Sequence, residues 1–181
     1  MKFMFASDIH GSAFYCRKLV EQYKKSGAGR LVLLGDLLYH GPRNDLPREY
    51  APKEVIGMLN QLKEEVYAVR GNCEAEVDQM VLEFPVMAEY AILELNGRAF
   101  YATHGHVYHE NHMPPMKKGD VLVYGHTHVP MAKAQGPFYV LNPGSVSLPK
   151  GGNPPTYAIL EGREFRVLDF EGNVVAKTVF S

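Results

Sequence analysis

Five short segments, far apart in the sequence, each end an apolar run with residue types that bind metal ions. They are Asp8-Ile9-His10, Gly35-Asp36, Gly71-Asn72, His104-Gly105-His106 and Gly125-His126-Thr127-His128. Together they offer two carboxylates, one amide oxygen and several imidazoles. This is enough to hold two divalent cations in one cleft. The mixture of oxygen and imidazole ligands favours Mn²⁺, Fe²⁺ or Zn²⁺ over Mg²⁺ or Ca²⁺.

The charge of such a site indicates what it would bind. Two divalent cations carry about +4, and the carboxylates of Asp8 and Asp36 carry −2, so that about +2 remains, before a hydroxide binds, to attract a phosphate oxyanion. The cations would also lower the pKa of bound water from about 16 towards neutrality. A single Asp or His after a strand is commonly a helix cap or a structural residue. Five such segments in order instead predict metal-assisted chemistry on a phosphate ester.

The hydrophobic pattern predicts the elements that carry these segments. We expect strands near 2–6, 31–34 and 66–69, with helices near 13–26, 52–63 and 74–82. The second half predicts short strands near 90–95, 98–103, 121–125, 131–135, 138–142, 156–161, 164–169 and 174–179. Because the metal-ligand residues follow apolar strands, they should meet at the carboxyl edge of the sheets. In an extended chain, i and i+2 point the same way, so Asp8 with His10, and His126 with His128, should face one site.

Composition limits the classes of protein to consider. The chain has 181 residues, and we expect residues 1–181 to form a single domain. A formal net charge of −1 argues against a nucleic-acid binder. The two cysteines, Cys16 and Cys73, make no disulfide framework and predict a cytoplasmic protein. The N-terminal apolar run turns polar at Ser7, too early for a signal peptide, and no apolar stretch reaches the roughly 20 residues of a membrane helix.

The ordered set of motifs resembles the calcineurin-like metallophosphoesterases. The variant Gly71-Asn72-Cys73-Glu74 and the short chain are similar to the YfcE-type phosphodiesterase subfamily, and Vps29 is a relative on the same scaffold. The resemblance implies an α/β fold, a four-layer α/β/β/α sandwich of two mixed sheets with flanking helices. It also implies a dinuclear, metal-dependent phosphodiesterase in which a metal-bridging hydroxide attacks phosphorus. Mn²⁺ is the favoured metal, with Fe²⁺, Zn²⁺ or Ni²⁺ as alternatives.

The resemblance also assigns ligands for each metal. The first metal would be held by Asp8, His10, Asp36 and His128. The second would be held by Asp36 as a bridge, together with Asn72, His104 and His126. Asn142-Pro143-Gly144-Ser145 matches a loop found near this site in the family, and we expect it to give structural support.

Cys73 departs from the family pattern. The family motif commonly has a His at this position, which is thought to protonate the leaving group. A thiol is a poorer acid near neutral pH, so Cys73 is either a weak catalytic acid or a small space-filling residue. We therefore expect a preference for phosphodiesters with good leaving groups. His106 is the candidate for the missing acid, or alternatively a hydrogen-bonding neighbour of the ligands. His40 could line the cleft, whereas His109 and His112 are expected at the surface.

Two other classes of function remain open. A phosphomonoesterase or nucleotide pyrophosphohydrolase could use the same metal centre. A non-catalytic, Vps29-like interaction scaffold would keep the fold without the chemistry. The expected partners are a small phosphodiester substrate and no membrane, with a homo-oligomer as an alternative to a monomer. The loop from Tyr39 to Tyr50, which contains Arg43, is expected either to border the cleft or to be a solvated loop.

Overall fold

The structure, a computed structural model, describes residues 1–181 and contains two mixed β-sheets. The helices are α1 (Ala13–Ser26), α2 (Pro52–Asn60) and α3 (Glu76–Val81). The strands are β1 (Lys2–Ala6), β2 (Arg30–Leu33), β3 (Val66–Ala68), β4 (Tyr90–Leu95), β5 (Arg98–Thr103), β6 (Val121–Val123), β7 (Met131–Gln135), β8 (Phe138–Asn142), β9 (Thr156–Glu161), β10 (Glu164–Asp169) and β11 (Val174–Val179). None of the helices has both the length and the apolar character needed to cross a membrane.

The two sheets have six and five strands. The first has the order β11-β10-β9-β1-β2-β3, and β1, β2 and β3 run parallel to one another. The second has the order β4-β5-β6-β8-β7, in which β5, β6 and β8 run parallel. The predicted α/β fold with two mixed sheets is confirmed.

Aromatic and branched side chains fill the space between the sheets. Phe5 of the first sheet packs on Phe165 of the same sheet and on Phe100 of the second, with ring centroids 5.6 and 6.1 Å apart. A second core lies between the six-stranded sheet and the helices, where α1 buries Cys16 and Leu19. Burial on both faces explains why β1 and β2 are continuous apolar runs.

The outer face of the five-stranded sheet has a different cover. Leu122, Tyr124 and Val140 are buried there, with Met113 and Met116 packed against them. These methionines belong to the non-helical segment 104–120, so the helices flank the six-stranded sheet and a loop covers the other one. Methionine suits this position because its flexible side chain fills irregular gaps.

Local signals set the ends of the helices. Ser12 caps α1 by accepting a hydrogen bond from the Tyr15 amide, and Gly27 ends it in the left-handed conformation, with φ of 67°. Helix α2 ends at Asn60, whereas the sequence predicted it to continue to 63. The chain there tightens into turns, with Leu62 N bonded to Leu59 O and Glu65 N bonded to Leu62 O, because it must reverse into β3.

Candidate metal centre

The predicted ligand residues follow the carboxyl ends of strands in both sheets. Asp8 and His10 follow β1, and Asp36 follows β2, the parallel neighbour of β1. Asn72 follows β3, while His104 follows β5 and the pair His126 and His128 follows β6. The structure therefore gathers all seven side chains at one edge, where the two sheets meet.

The backbone at this edge is left-handed at several non-glycine residues. Asp8, His10, Asp36, His126 and His128 have φ between 50° and 63°. The sequence explanation, in which i and i+2 converge because the chain is extended, was therefore wrong. Each pair converges because its chain turns sharply after the strand. Such conformations are costly for L-residues and are maintained by the surrounding contacts.

One half of the site contains Asp8, His10 and His128. The Nε2 atom of His128 lies 3.2 Å from Asp8 Oδ1, and the Nε2 atom of His10 lies 3.5 Å from the same oxygen. The two Nε2 atoms are 3.4 Å apart. All three side chains are buried. Their ligand atoms lie close enough together to hold one metal ion.

The other half contains Asp36, His104, His126 and Asn72. The Nε2 atom of His104 is 3.4 Å from Asp36 Oδ2, 3.2 Å from His126 Nδ1 and 3.0 Å from Asn72 Oδ1. Asp36, His104 and His126 can together hold a second metal ion. Asp36 Oδ2 also lies 3.7 Å from His10 Nε2, so this carboxylate stands between the two halves.

Three of the imidazoles are oriented by backbone carbonyls. The Nδ1 atoms of His10, His104 and His128 lie 2.8, 2.6 and 2.5 Å from the carbonyl oxygens of Tyr39, Leu34 and Leu148, respectively. A carbonyl can only accept, so each Nδ1 carries the proton that it donates. When such a ring is neutral, its Nε2 lone pair faces the site, which is the arrangement usual for metal-binding histidines.

The donor set fits a cation. Asp8 Oδ1 is buried without a hydrogen-bond partner, although burying an unpaired carboxylate oxygen is costly. Around it, the Nε2 atoms of His10 and His128 approach closely, and two lone pairs at this separation repel unless a proton or a cation lies between them. Carboxylate oxygen and imidazole nitrogen are ligands for Mn²⁺, Fe²⁺ and Zn²⁺.

Charge coupling within the site shifts several pKa values. Burial acts to raise the pKa of Asp8, but the nearby imidazoles of His10 and His128 outweigh it and hold that pKa well below its usual range. Burial lowers the pKa of His104, but its contacts with Asp36 and Asp8 outweigh it and raise the pKa to about 9. Burial and the neighbouring His104 lower the pKa of His126 to about 4. A metal ion held by this half of the site would therefore compete with a proton most strongly at His104.

Glu74 is a supporting residue whose role the sequence did not reveal. Its buried carboxylate accepts hydrogen bonds from the backbone amides of Asp36, Leu37 and Gly71, at 2.8, 2.7 and 2.5 Å. These contacts join the turn after β2 to the turn after β3. A Cβ on Gly71 would lie 2.1 Å from Asp36 Oδ1, so only glycine allows this approach. The only sequence signal for this role was the position of Glu74 at the end of the Gly-Asn-Cys-Glu motif.

Hydroxyl groups and an amide fix the segments around Asp8. Ser145 Oγ and Ser147 Oγ both donate to the Asp8 carbonyl oxygen, at 2.9 and 3.1 Å. Asn142 Nδ2 donates to Gly125 O and to Thr127 Oγ1, at 2.9 and 3.0 Å. The loop from Asn142 to Ser145 thus supports both ligand-bearing turns, as the sequence suggested.

Cys73 lies at the cleft, and His106 lies outside the cavity. The Cys73 amide donates to Asp36 Oδ1 at 2.9 Å, and Asn72 Nδ2 approaches its Sγ at 3.4 Å. Burial, followed by the charge of Asp36, raises the pKa of the Cys73 thiol. The exposed His106 is not among the residues that line the cavity, and its ring centroid is 5.5 Å from that of His104.

The remaining histidines lie outside the cluster. The ring of His40 packs between Tyr39 and Tyr50 rather than lining the cleft. His109 and His112 face each other in the covering loop, with backbone hydrogen bonds between them, and belong to no group that could hold a metal.

A cavity of about 480 Å³ opens over the cluster. Its walls include ligand residues from both halves, and the loop 41–44 contributes Arg43 and Asn44. Lys150 also lines it. Of the sequence alternatives for the loop from Tyr39 to Tyr50, the structure therefore supports the one in which it borders the cleft.

Comparisons with known proteins agree with this geometry. Residues 1–164 match the model of the calcineurin-like phosphoesterase superfamily domain. Phosphodiesterase YfcE of Escherichia coli (strain K12) is 49% identical over 168 residues, which are 93% of this chain and 91% of that protein. Phosphodiesterase MJ0936 of Methanocaldococcus jannaschii is 26% identical over 182 residues, covering 94% of this chain and all of that protein.

Solved structures show the same likeness. The structure of YfcE, a phosphoesterase from E. coli, matches with a TM-score of 0.98 and 46% identity over the whole of both chains. Wild-type Vps29 of Entamoeba histolytica, complexed with Zn²⁺, matches with a TM-score of 0.61 and 21% identity, also over both whole chains. At this identity, the similarity to Vps29 shows a shared fold and nothing more.

Proposed function

This chain belongs to the calcineurin-like phosphoesterase superfamily, and from that membership we infer that it hydrolyses phosphodiester bonds with the help of metal ions. We propose further that two divalent cations work together in the cleft and that Mn²⁺ is the favoured metal. The observation that carries this proposal is the position of Asp36 Oδ2, 3.4 Å from His104 Nε2 and 3.7 Å from His10 Nε2. One carboxylate oxygen can thus serve both halves of the site.

We assign the ligands by these two halves. The first cation would be held by Asp8, His10, Asp36 and His128. The second would be held by Asp36, Asn72, His104 and His126. When bound, the cations supply Lewis-acid stabilisation of the phosphoryl oxygens and acidify water into a nucleophile near neutral pH.

The residues of the chain contribute position and charge. The carbonyls of Tyr39, Leu34 and Leu148 fix the ring orientations of three histidines. Asp8 and Asp36 offset part of the metal charge and leave the site positive enough to attract a phosphodiester anion. Cys73, whose thiol pKa is raised, fills space beside Asp36. His106 lies beside His104 but outside the cavity lining, so it is a candidate proton donor only if turnover depends weakly on the leaving-group pKa.

The test begins with protein stripped of metal. Bis(p-nitrophenyl) phosphate and p-nitrophenyl phosphate are offered while Mn²⁺ is titrated back, and bound metal is counted by elemental analysis. We expect two metal ions per chain and faster turnover of the diester than of the monoester. Asp36→Asn should lose both metal and turnover, whereas Asp45→Asn, on the exposed part of the neighbouring loop, should keep both.

Other results would favour the alternatives. Preferential turnover of the monoester would indicate a phosphomonoesterase, and preferential turnover of a nucleotide pyrophosphate would indicate a pyrophosphohydrolase. Bound metal without turnover of any ester would indicate an interaction scaffold. A single domain over 1–181, a cytoplasmic location suggested by cysteine usage, and self-association stay predictions.

A further inference from the structure

Two basic side chains at the cleft have no partner within the chain. Arg43 and Lys150 line the same cavity as the metal-ligand cluster. Neither forms a salt bridge or donates a side-chain hydrogen bond, although Arg17 and Lys63 pair with glutamates. Arg163 and Lys177 are likewise unpaired, so it is the position of Arg43 and Lys150 at the cavity that distinguishes them. Asp45, the acidic neighbour of Arg43, lies outside the cavity lining and pairs with neither cation. The charges of Arg43 and Lys150 are therefore available to a ligand.

The backbone places these cations beside different parts of the cluster. The loop carrying Arg43 lies against Cys73, since a Cβ on Gly41 would be 3.4 Å from Cys73 Sγ. Asn44 Nδ2 closes that loop by donating to His40 O at 2.8 Å. The Lys150 amide donates to His128 O at 3.1 Å, which anchors Lys150 behind a ligand of the first half.

The positive charge expected in the cleft is larger than the negative charge of a simple phosphodiester. Two divalent cations with Asp8, Asp36 and a bound hydroxide would leave about +1, and Arg43 and Lys150 would raise this to about +3. A phosphodiester group carries only one negative charge. A second anionic group on the substrate would therefore be attracted, and it would find guanidinium and ammonium donors free to hold it.

The other lining residues argue against an aromatic or hydrocarbon substituent. No Phe, Tyr, Trp, Leu, Ile, Val or Met side chain lines the cavity. Stacking of a nucleobase needs an aromatic platform, and burial of an alkyl chain needs an apolar wall. The remaining polar contacts, such as Asn44 and Thr127, suit a small hydrophilic group.

We propose that Arg43 and Lys150 select phosphodiesters in which one esterified alcohol carries a second anionic group, either a carboxylate or a phosphate monoester. Arg43 and Lys150 bind that second anionic group. The alcohol that carries it stays attached to the phosphate after hydrolysis, and the other alcohol leaves. This inference rests on the proposed function, because it concerns the substrate class of the same site.

A matched series of esters tests the selection. Each is a p-nitrophenyl phosphodiester, so the leaving group is constant. The second alcohol is 3-hydroxypropanoic acid, 1,3-propanediol monophosphate, 1,3-propanediol or 3-aminopropanol. We expect kcat/KM with Mn²⁺ to be highest for the two anionic esters, lower for the diol and lowest for the amine. Comparing the carboxylate with the phosphate ester shows which anion the site takes.

Substitutions of Arg43 and Lys150 test whether these side chains cause the preference for anionic esters. Arg43→Gln and Lys150→Gln should each reduce the preference for the anionic ester over the diol by about tenfold, as expected for loss of one charged hydrogen bond. The double variant should abolish the preference, whereas Arg43→Lys and Lys150→Arg should keep part of it. Raising the salt concentration should weaken it in the wild type. Arg163→Gln and Lys177→Gln, exposed and unpaired elsewhere, are the matched controls and should keep the full preference.

The outcomes separate this inference from the proposed function. No Mn²⁺-dependent turnover of any ester would refute the phosphodiesterase itself. Turnover of all four esters at similar kcat/KM would overturn only the proposed selection, as would a preference that survives in the double variant.

Discussion

Glu74 is the residue through which two ligand-bearing turns are held together. Its carboxylate accepts three backbone amides, including that of Asp36. Glu74→Gln keeps the size of the side chain but replaces one acceptor oxygen by a donor that faces those amides. We expect a loss of about 2–3 kcal/mol in the free energy of unfolding. Urea titration measures it.

The same substitution should also weaken metal binding, because the Asp36 backbone loses its anchor. Mn²⁺ titration followed by calorimetry should show a dissociation constant raised by about tenfold to a hundredfold, the usual effect of removing a residue that orients a metal ligand. Glu76→Gln, two residues further along and exposed, serves as control. Unchanged stability and affinity in Glu74→Gln would show that the amides find other partners.

The residue at position 73 should determine how strongly turnover depends on the leaving group of the substrate. Burial raises the pKa of the Cys73 thiol, and a thiol is a poor proton donor at neutral pH. We expect kcat/KM for a series of aryl phosphodiesters to fall steeply as the leaving-group pKa rises. Cys73→Ala should leave the slope unchanged. A flat dependence would show that an efficient acid is present.

His106 is the group to examine if that slope is shallow. It lies beside His104, and burial followed by the charge of His104 lowers its pKa. If His106 supplies the proton, His106→Ala should slow only the esters with poor leaving groups. An equal effect on all esters would assign His106 a role in positioning His104.

The turn between β10 and β11 depends on one aspartate. Asp169 Oδ1 accepts the amides of Glu171 and Asn173, at 3.0 and 2.8 Å, and Oδ2 accepts Asn173 Nδ2 at 2.8 Å. We expect Asp169→Ala to lower the free energy of unfolding by about 1–2 kcal/mol. Since the turn lies outside the cleft, kcat/KM should not change. Glu171→Ala, which keeps these acceptors, is the control in both assays.

Sequence patterns predicted most elements because local physics determines them. Short runs bounded by turn residues gave strand ranges that match the structure, such as 156–161, 164–169 and 174–179. The end of α2 was missed because it depends on where the chain must reverse into β3, a tertiary requirement. The loop that covers the five-stranded sheet has no hydrophobic repeat, so the burial of its methionines could not be predicted from the sequence.

The candidate site was predictable in its residue types but not in its supporting contacts. Ligand residues after strands converge by topology alone. The left-handed turns at Asp8 and Asp36, by contrast, depend on long-range bonds such as Ser145 to Asp8 and Glu74 to Asp36, which no local pattern encodes. The free charges of Arg43 and Lys150 could likewise be recognised only once the partners of the other cations were known.

The site joins the two sheets, so its ionisation affects the whole molecule. The His126 amide, after β6 of one sheet, donates to Asp8 Oδ2, after β1 of the other, at 3.0 Å. Without a metal, protonated His104 is held by Asp36 and Asp8, which raise its pKa to about 9 against a burial effect that lowers it. Its usual value is about 6.5. Protonation of His104 and the proposed metal binding there would therefore exclude each other, and both would be linked to folding.

The sign of this linkage gives the last prediction. A histidine whose pKa is raised by folding stabilises the protein fully below its unfolded pKa, and the effect is lost as pH rises through the folded pKa. Metal-stripped protein should therefore lose stability between pH 6.5 and 8.5, by an amount on the order of 1–2 kcal/mol. Mn²⁺-loaded protein should gain stability over the same range, because the metal needs the neutral ring. Urea unfolding with EDTA or with Mn²⁺ measures both slopes.

The test is whether the free energy of unfolding changes with pH in opposite directions in the stripped and the Mn²⁺-loaded protein. A general effect of pH on the fold would change it in the same direction in both. His126, whose pKa is lowered to about 4, destabilises the stripped protein only below pH 6.5, so it does not mask the effect. His104→Gln should reduce the slope of the stripped protein, and the remainder should come from His10, whose pKa burial lowers but Asp8 raises overall. His109→Gln, in the covering loop, should leave the slope unchanged. Parallel slopes in the two forms would mean that the His104 proton and the metal do not compete, and the second half of the proposed centre would have to be reassigned.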